Sequence, residues 1–395
     1  MGYIYRNAQK PLEKYLKSNK SVLLLGPRQT GKTTLLEQIP ADLRLSLVAP
    51  RTRRRYEKDP GLLSQEIEQL QKNKNKKRLR IIVDEVQKVP ELLDVAQDII
   101  DRDKAQFILT GSSARKLRRM KSINLLPGRV LQMYLDPLSL DELDNPRLED
   151  LLLQGSLPGV LTDPQADLQD AQLESYVDTY LEEEVRAEAL VRNLGAFSRF
   201  LELVGIESGK IFSFRNLSQE LGISHTTVAD YFGILEDCLI AERIEPITHS
   251  ATRKKLTRSC RYLLFDMGVR RFCAREPRQL SNPRMGELFE HWVGLELVRL
   301  ARHSSPKCRL RFWRDPGGPE VDWVLERNRE YIPVEVKWNE APKREDAKHL
   351  RLFLSEYPQA KKAYIVCRTP RAYSIDANIT ALPWQAIPSL IAAVA

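Results

Sequence analysis

The chain has 395 residues, of which 42% are hydrophobic and 29% charged, with a net charge of +9. That length exceeds one ordinary domain, and that apolar fraction supports packed cores, which excludes a disordered or fibrous protein. No run of 18 apolar residues offers a membrane helix, and five scattered cysteines without a C-x-x-C pair exclude a disulfide framework or a zinc ribbon.

Met1-Gly2-Tyr3-Ile4-Tyr5-Arg6 lacks the apolar core of a signal peptide, so reduced thiols and a cytoplasmic location without a membrane partner are expected. The excess of cations suggests an anionic partner, with nucleic acid the first candidate, although a basic surface also serves solubility.

Val22-Leu23-Leu24-Leu25 reads as a short buried strand, and Thr34-Leu35-Leu36-Glu37 as the start of a helix. Between them, Gly26-Pro27-Arg28-Gln29-Thr30-Gly31-Lys32-Thr33 fits the phosphate-binding pattern G-x-x-x-x-G-K-[ST]. The glycines let backbone N–H groups converge on phosphate oxygens, and the helix N-terminus adds partial positive charge. Gly26 through Thr34 are therefore expected to hold ATP. Lys32 reaches the β- and γ-phosphates, and the Thr33 hydroxyl faces Mg²⁺.

Further strands are predicted at 44–48, 80–83, 106–110 and 130–135, alternating with helical patterns, which argues a parallel α/β sheet. Ile81-Ile82-Val83-Asp84-Glu85 is an apolar strand ending in two acids. Asp84 is placed to join Thr33 at Mg²⁺, and Glu85 to orient and deprotonate an attacking water. Phe107-Ile108-Leu109-Thr110-Gly111-Ser112-Ser113 ends in small polar residues. Thr110 reads either as a contact to that water or as part of an ordinary serine-capped turn. Gly128-Arg129 precedes the last of these strands.

Beyond about residue 147 the pattern changes. Residues 148–195 read as a helical, acidic lid or linker around Glu182-Glu183-Glu184. Residues 196–265 read as helices followed by a hairpin. In them, Arg215 to Leu221 forms one helix, Gly222 a tight turn, Ser224 an N-cap, and His225 to Leu235 a second helix, a helix-turn-helix pattern. Leu217, Leu221, Val228 and Leu235 are expected to face the core, with His225, Thr226 and Thr227 exposed. Arg253-Lys254-Lys255-Leu256-Thr257-Arg258-Ser259-Cys260-Arg261 lies where a wing would be, with cations suited to phosphates. Lys72-Asn73-Lys74-Asn75-Lys76-Lys77-Arg78 reads as a solvated loop.

Residues 266–395 open with a helix and continue in strands near 309–313, 320–326, 331–337 and 362–367. Strand alternation puts Glu335 and Lys337 on one face, and a hairpin brings Asp322 beside Glu335. Two carboxylates there suit Mg²⁺ or Mn²⁺, with Lys337 positioning a water and Glu290 as an outer ligand.

In order along the chain, the matching pieces are Gly26 to Thr33, Val83-Asp84-Glu85-Val86-Gln87-Lys88-Val89-Pro90, Leu109 to Ser113, Gly128-Arg129, Pro137-Leu138-Ser139-Leu140-Asp141-Glu142-Leu143, Gly155-Ser156-Leu157-Pro158-Gly159 and Tyr176-Val177-Asp178-Thr179-Tyr180-Leu181. With these, nearly the whole chain resembles a prokaryotic AAA+ ATPase family with an unassigned C-terminal region. The resemblance implies ATP binding and hydrolysis, Thr110 as the sensor, and Arg129 as an arginine finger acting in a homo-oligomer. Gly286-Glu287-Leu288-Phe289-Glu290, Val321-Asp322 and Val334-Glu335-Val336-Lys337 resemble the PD-(D/E)xK nuclease core, with Val321 where that name has proline. The expected architecture is α/β: an AAA+ domain over 1–147, a lid over 148–195, a winged helix over 196–265 and a restriction-endonuclease-like α/β domain over 266–395. Three functions remain open: an ATPase acting on DNA with metal-dependent cleavage at Asp322, Glu335 and Lys337, a nucleotide switch that binds DNA or protein and cuts nothing, and a signalling ATPase whose winged helix is only a lid.

Overall fold

The computed structural model describes residues 2–113, 128–181, 194–248, 259–315 and 317–392. Glu182-Glu183-Glu184 and most of the basic wing, Arg253 through Arg258, lie outside the described residues. The chain divides into two compact units, Met1–Pro137 with Asp237–Ile240, and Leu138–Glu236 with Ala241–Ala395.

The first unit is built on β1 (Ser21–Leu25), β2 (Leu43–Ser46), β3 (Leu79–Asp84), β4 (Ala105–Gly111) and β5 (Val130–Tyr134). They form one parallel sheet in the order β2-β3-β4-β1-β5. Every residue of β1 and β4 is buried, as expected of parallel strands covered on both faces. Period-two alternation sorts them. Val22, Leu24 and Ile108 pack with Leu12, Leu16, Leu35 and Leu36 from two helices on one side. Leu23, Leu25, Phe107 and Leu109 pack with Ile67, Leu93, Ala96 and Ile99 on the other.

The strand order matters for the site. β4 lies between β1 and β3, with Leu25 beside Gly111 and Val83 beside Leu109. The phosphate loop after β1 and the acids after β3 therefore flank the end of β4. The basic run is only partly loop. Lys72–Lys74 finish a helix, Leu62–Lys74, capped by Asn75 in the left-handed region, and Lys74 and Lys76 both pair with Asp42.

The second unit begins with short helices and a π-helical turn, Tyr176–Leu181. Helices Leu194–Glu207, Phe214–Leu221 and His225–Asp237 follow. Ser213 caps the second of these at its start and Gly222, with φ 64°, ends it. The Ser224 hydroxyl accepts the Thr227 N–H at 3.1 Å, opening the third. Leu217, Val228 and Leu235 are buried and Leu221 partly so, while His225 and Thr226 are exposed. Phe200, Phe212, Phe214, Phe232 and Tyr262 interlock behind them, with the Phe232 and Tyr262 ring centroids 4.2 Å apart.

Strands β6 (Ala241–Pro246) and β7 (Arg261–Leu264) pair antiparallel, and Ile211 bridges Arg261. They share an eight-stranded sheet with β8 (Arg309–Arg314), β9 (Glu320–Arg327), β10 (Glu330–Val336), β11 (Ala363–Cys367), β12 (Tyr373–Asp376) and β13 (Ile379–Pro383). Its order is β12-β13-β11-β10-β9-β8-β6-β7. β8, β9 and β10 run antiparallel, whereas β10, β11 and β13 run parallel. Helix Asn282–His303 covers one face, burying Phe289, Trp292 and Val293 against Phe312, Trp323 and Val334. Its Gly294 lets Trp323 close in, since a Cβ there would lie 2.6 Å from the indole. Helix Lys348–Glu356 covers the other face through Leu350 and Phe353.

Candidate nucleotide site and carboxylate cluster

The loop between β1 and helix Lys32–Glu37 is shaped by backbone as much as by side chains. Gln29 and Gly31 take positive φ, 63° and 90°. A Cβ on Gly26 would meet the Leu135 carbonyl oxygen at 2.3 Å, so only glycine fits beside that backbone. Thr30 Oγ1 donates to the Pro27 carbonyl at 3.0 Å. Arg6, buried, donates to the Thr30 carbonyl at 2.6 Å and to the Asp136 carbonyl at 2.7 Å, which braces the loop from outside. Lys32 Nζ is turned into this cradle, donating to the carbonyls of Gly26 and Pro27, each at 2.8 Å. Arg28 and Thr34 belong to the same stretch, Arg28 partly buried and Thr34 exposed.

Two strand ends and the start of a helix meet at Asp84. Thr33 Oγ1 donates to Asp84 Oδ2 at 3.1 Å, and Thr110 Oγ1 donates to Asp84 Oδ1 at 2.5 Å. The Glu85 N–H in turn donates to Thr110 Oγ1 at 3.0 Å. Lys32, Thr33, Asp84, Glu85 and Thr110, predicted from separate segments, are thus brought together. The donor set fits a nucleoside triphosphate with Mg²⁺: an amine amid a turn of backbone, then a hydroxyl and a carboxylate already in register.

Glu85 adopts the left-handed region at φ 60°, a conformation that non-glycine residues hold only when their surroundings impose it. Its side chain is pinned by Gln87 Nε2 and by Ser112 Oγ, the latter at 3.0 Å, while Gln87 Nε2 also donates to Ser112 Oγ at 2.9 Å. Sequence reasoning quoted Gln87 and Ser112 inside motifs but gave them no role. Arg6 had no sequence signal, because its partners lie 24 and 130 residues away.

Arg129 stands at the edge of the sheet. It makes a two-pronged bond to Asp101 of the same chain, Nε to Oδ1 at 2.6 Å and Nη2 to Oδ2 at 2.9 Å. This bond holds the Asp101 carboxyl below the usual carboxylate range.

The second cluster lies on the β9–β10 hairpin, where Asn328 and Arg329 turn the chain with positive φ. The ladder ends at Val334 opposite Trp323. Just beyond it Asp322 Oδ2 accepts the Val336 N–H at 2.8 Å, replacing a strand partner. Lys337 Nζ bonds Glu335 Oε1 at 2.8 Å, so these two share a face as expected. Among the described residues, Glu335 Oε2 is buried without a hydrogen-bond partner. Burial pushes Glu335 up to about 7. Burial, reinforced by the charges of Glu290 and Glu335, also drives Asp322 well above its ordinary value. Lys337 is held charged against burial by Glu335 and Asp322.

One expectation needs correction here. Arg261 was read with the wing cations, available to phosphates, but it lies on β7 with its side chain only 3% exposed. Its Nη1 donates to Glu290 Oε1 at 2.5 Å and its Nη2 bonds Glu320. Glu290, expected to face a metal, is thereby engaged with a guanidinium. Among the described residues no three His, Cys, Asp or Glu side chains are placed to hold a metal ion.

Comparison with known proteins bears on the same segments. Residues 18–144 match the AAA domain family, 145–279 match a domain of unknown function, DUF8612, and 285–387 match another, DUF4143. An uncharacterized protein of Mycobacterium tuberculosis is 26% identical over 342 residues, spanning 85% of this chain and 74% of that one. An uncharacterized protein of Mycobacterium bovis matches with the same identity and coverage. The crystal structure of a Vibrio cholerae protein aligns over 95% of this chain and 97% of its own, at 14% identity and a TM-score of 0.21. The chain thus carries an AAA domain, the nucleotide-binding ATPase type, followed by two domains whose families have no assigned role. Among the described residues no helix is long and apolar enough to cross a membrane.

Proposed function

We propose that the first unit binds ATP with Mg²⁺ and hydrolyses it, and that this turnover drives a DNA-binding switch whose nuclease-like fold does not cleave. The observation that carries the ATPase reading is the bonded chain Thr33–Asp84–Thr110–Glu85, which joins two strand ends to the helix start that carries Lys32. In use, Lys32 leaves the Gly26 and Pro27 carbonyls for phosphate oxygens. Thr33 and Asp84 would hold Mg²⁺, which when bound would neutralise phosphate charge. Glu85, fixed by Gln87 and Ser112, takes the proton of the attacking water. Lys32→Ala should lower ATP turnover at least about 10²-fold. Unchanged turnover would overturn the assignment.

Arg129 is proposed to complete a neighbour's site. That role requires it to leave the two-pronged bond to Asp101. A Lys32→Ala chain mixed with an Arg129→Ala chain then regains turnover, because one interface is whole. Absence of recovery removes the role.

The DNA reading is supported by the exposed start of helix His225–Asp237 and by the net charge of +9. The non-cleaving reading is favoured over an active nuclease by the bond between Glu290 and Arg261. Product formation from any DNA form with Mg²⁺ or Mn²⁺, lost in Asp322→Asn with Glu335→Gln, would restore the nuclease instead.

A further inference from the structure

We infer that Arg261 is the resident counter-cation of the carboxylate cluster on the β9–β10 hairpin, standing where a metal-dependent nuclease would hold its divalent ion. The inference rests on the nuclease-like reading of that hairpin.

The geometry is specific to a guanidinium. Separate nitrogens of Arg261 reach Glu290, on the long helix, and Glu320, at the start of β9. A point-charge ammonium has no planar fork to bridge two carboxylates in this way. The flat faces are used as well, with the guanidinium carbon 4.9 Å from the Phe312 ring centroid and 5.0 Å from that of Trp323. Arg261 comes from β7, so the hairpin that precedes the long helix supplies the cation to carboxylates of the later strands.

Arg261 faces Glu290, Glu320 and Asp322, Lys337 bonds Glu335 at 2.8 Å, and Arg314 bonds Glu320 at 3.2 Å. A buried charge persists only when it is paired and hydrogen-bonded, and the buried Arg261 is bonded to two carboxylates. A divalent ion entering among Glu290, Asp322 and Glu335 would meet the guanidinium as a like charge and would have to take Glu290 from it. The site is not sealed. A cavity of about 380 Å³, lined by Arg261, Glu290, Glu320, Lys210, Arg314 and Glu287 among others, opens onto the pair.

This yields a gain-of-function test. The full chain is titrated with Mn²⁺ alone, followed by electron paramagnetic resonance of the free ion. The signal assigned to the cluster is whatever Asp322→Asn with Glu335→Gln removes, which sets aside any ion at Asp84. Wild type should show no such signal. Arg261→Met should acquire one, since a divalent ion can then replace the guanidinium as the partner of the buried carboxylates. If Arg261→Met fails to fold, Arg261→Met with Glu320→Gln removes a cation and an acid together and is titrated in its place. Mn²⁺ bound by wild type through Asp322 and Glu335 would overturn the counter-cation role while leaving the nuclease-like reading intact. A folded Arg261→Met chain that binds none, like wild type, would overturn both, because no latent metal site would exist.

Discussion

Glu85 is the clearest case of a side chain whose position is set by others. Its backbone is held at φ 60° and its carboxylate by Gln87 and Ser112. Ser112 is buried and touches no phosphate-loop residue through these bonds, so it is a positioning residue. Ser112→Ala should lower kcat for ATP about tenfold with little change in KM, and Ser112→Thr should recover most of it. A rise in KM with kcat intact would mean that Ser112 serves nucleotide binding instead. A second residue-scale prediction concerns Glu335, pushed up to about 7 by burial from an ordinary 4.5. Its folded state resists ionisation, so its stabilising contribution is whole below about pH 4.5 and is lost as pH rises to about 7. Glu335→Gln deletes the ionisation. Its stability relative to wild type should grow between those pH values by on the order of 3 kcal/mol, read from urea titrations. Asp322 titrates with it, so the step belongs to the pair. A pH-independent difference would refute the assignment. At this scale the phosphate-loop residues were legible in sequence because their chemistry is local: one loop and one helix start carry most of it. Arg6 and Arg261 were not, because the partners of Arg6 are loop carbonyls 24 and 130 residues away and those of Arg261 lie on a later helix and strand.

At the scale of elements, apolar runs were sufficient to place the parallel strands. β1 and β4 were expected at 22–25 and 106–110 and occupy Ser21–Leu25 and Ala105–Gly111, since continuous burial leaves no ambiguity of face. What periodicity could not show is partnership. β6 reads as half of a local hairpin, yet through Glu245 and Pro246 it also pairs in parallel with β8, more than sixty residues away. Asp266 was equally hidden. Fully buried, it caps helix Met267–Cys273 through the N–H groups of Gly268 and Val269 and accepts the Ser156 N–H at 2.7 Å. That bond explains the Gly155-Ser156 pair of the sequence motif. Gly155 has φ 76°, and a Cβ there would lie 2.1 Å from Asp266 Oδ1. Gly155→Ala should therefore destabilise the second unit by about 3 kcal/mol, combining left-handed strain with displacement of a buried cap. Ser156→Ala keeps the backbone N–H and removes only the Oγ that accepts Arg299 Nη1 at 3.0 Å, a nitrogen that also bonds Leu138 and Glu296, so it should cost less. Equal losses in the two variants, measured by denaturant midpoint, would contradict the role given to Gly155.

For the whole molecule, the proposal demands that one chain answer to two anions with different physics. ATP is held by a few fixed groups, so saturation should stabilise the folded chain by about 2.7 kcal/mol at a hundredfold excess over Kd, and Lys32→Ala should remove that gain. DNA would be held by dispersed cations. Their signature is counterion release, a linear fall of log affinity with log salt whose slope is about −0.9 per phosphate neutralised. Arg261 cannot contribute to that slope, because its charge is spent inside the protein on Glu290 and Glu320. Arg261→Met should therefore leave the salt slope unchanged, whereas a substitution at an exposed phosphate-gripping cation should reduce its magnitude by about one. Absence of any salt-dependent retention of DNA by wild type would leave the ATPase standing and remove DNA as its partner. The same titration in ATP and in ADP then decides whether the nucleotide acts as a switch. Two parallel lines mean a nucleotide-dependent affinity carried by an unchanged set of contacts. A change of slope means that hydrolysis alters how many phosphates the chain holds.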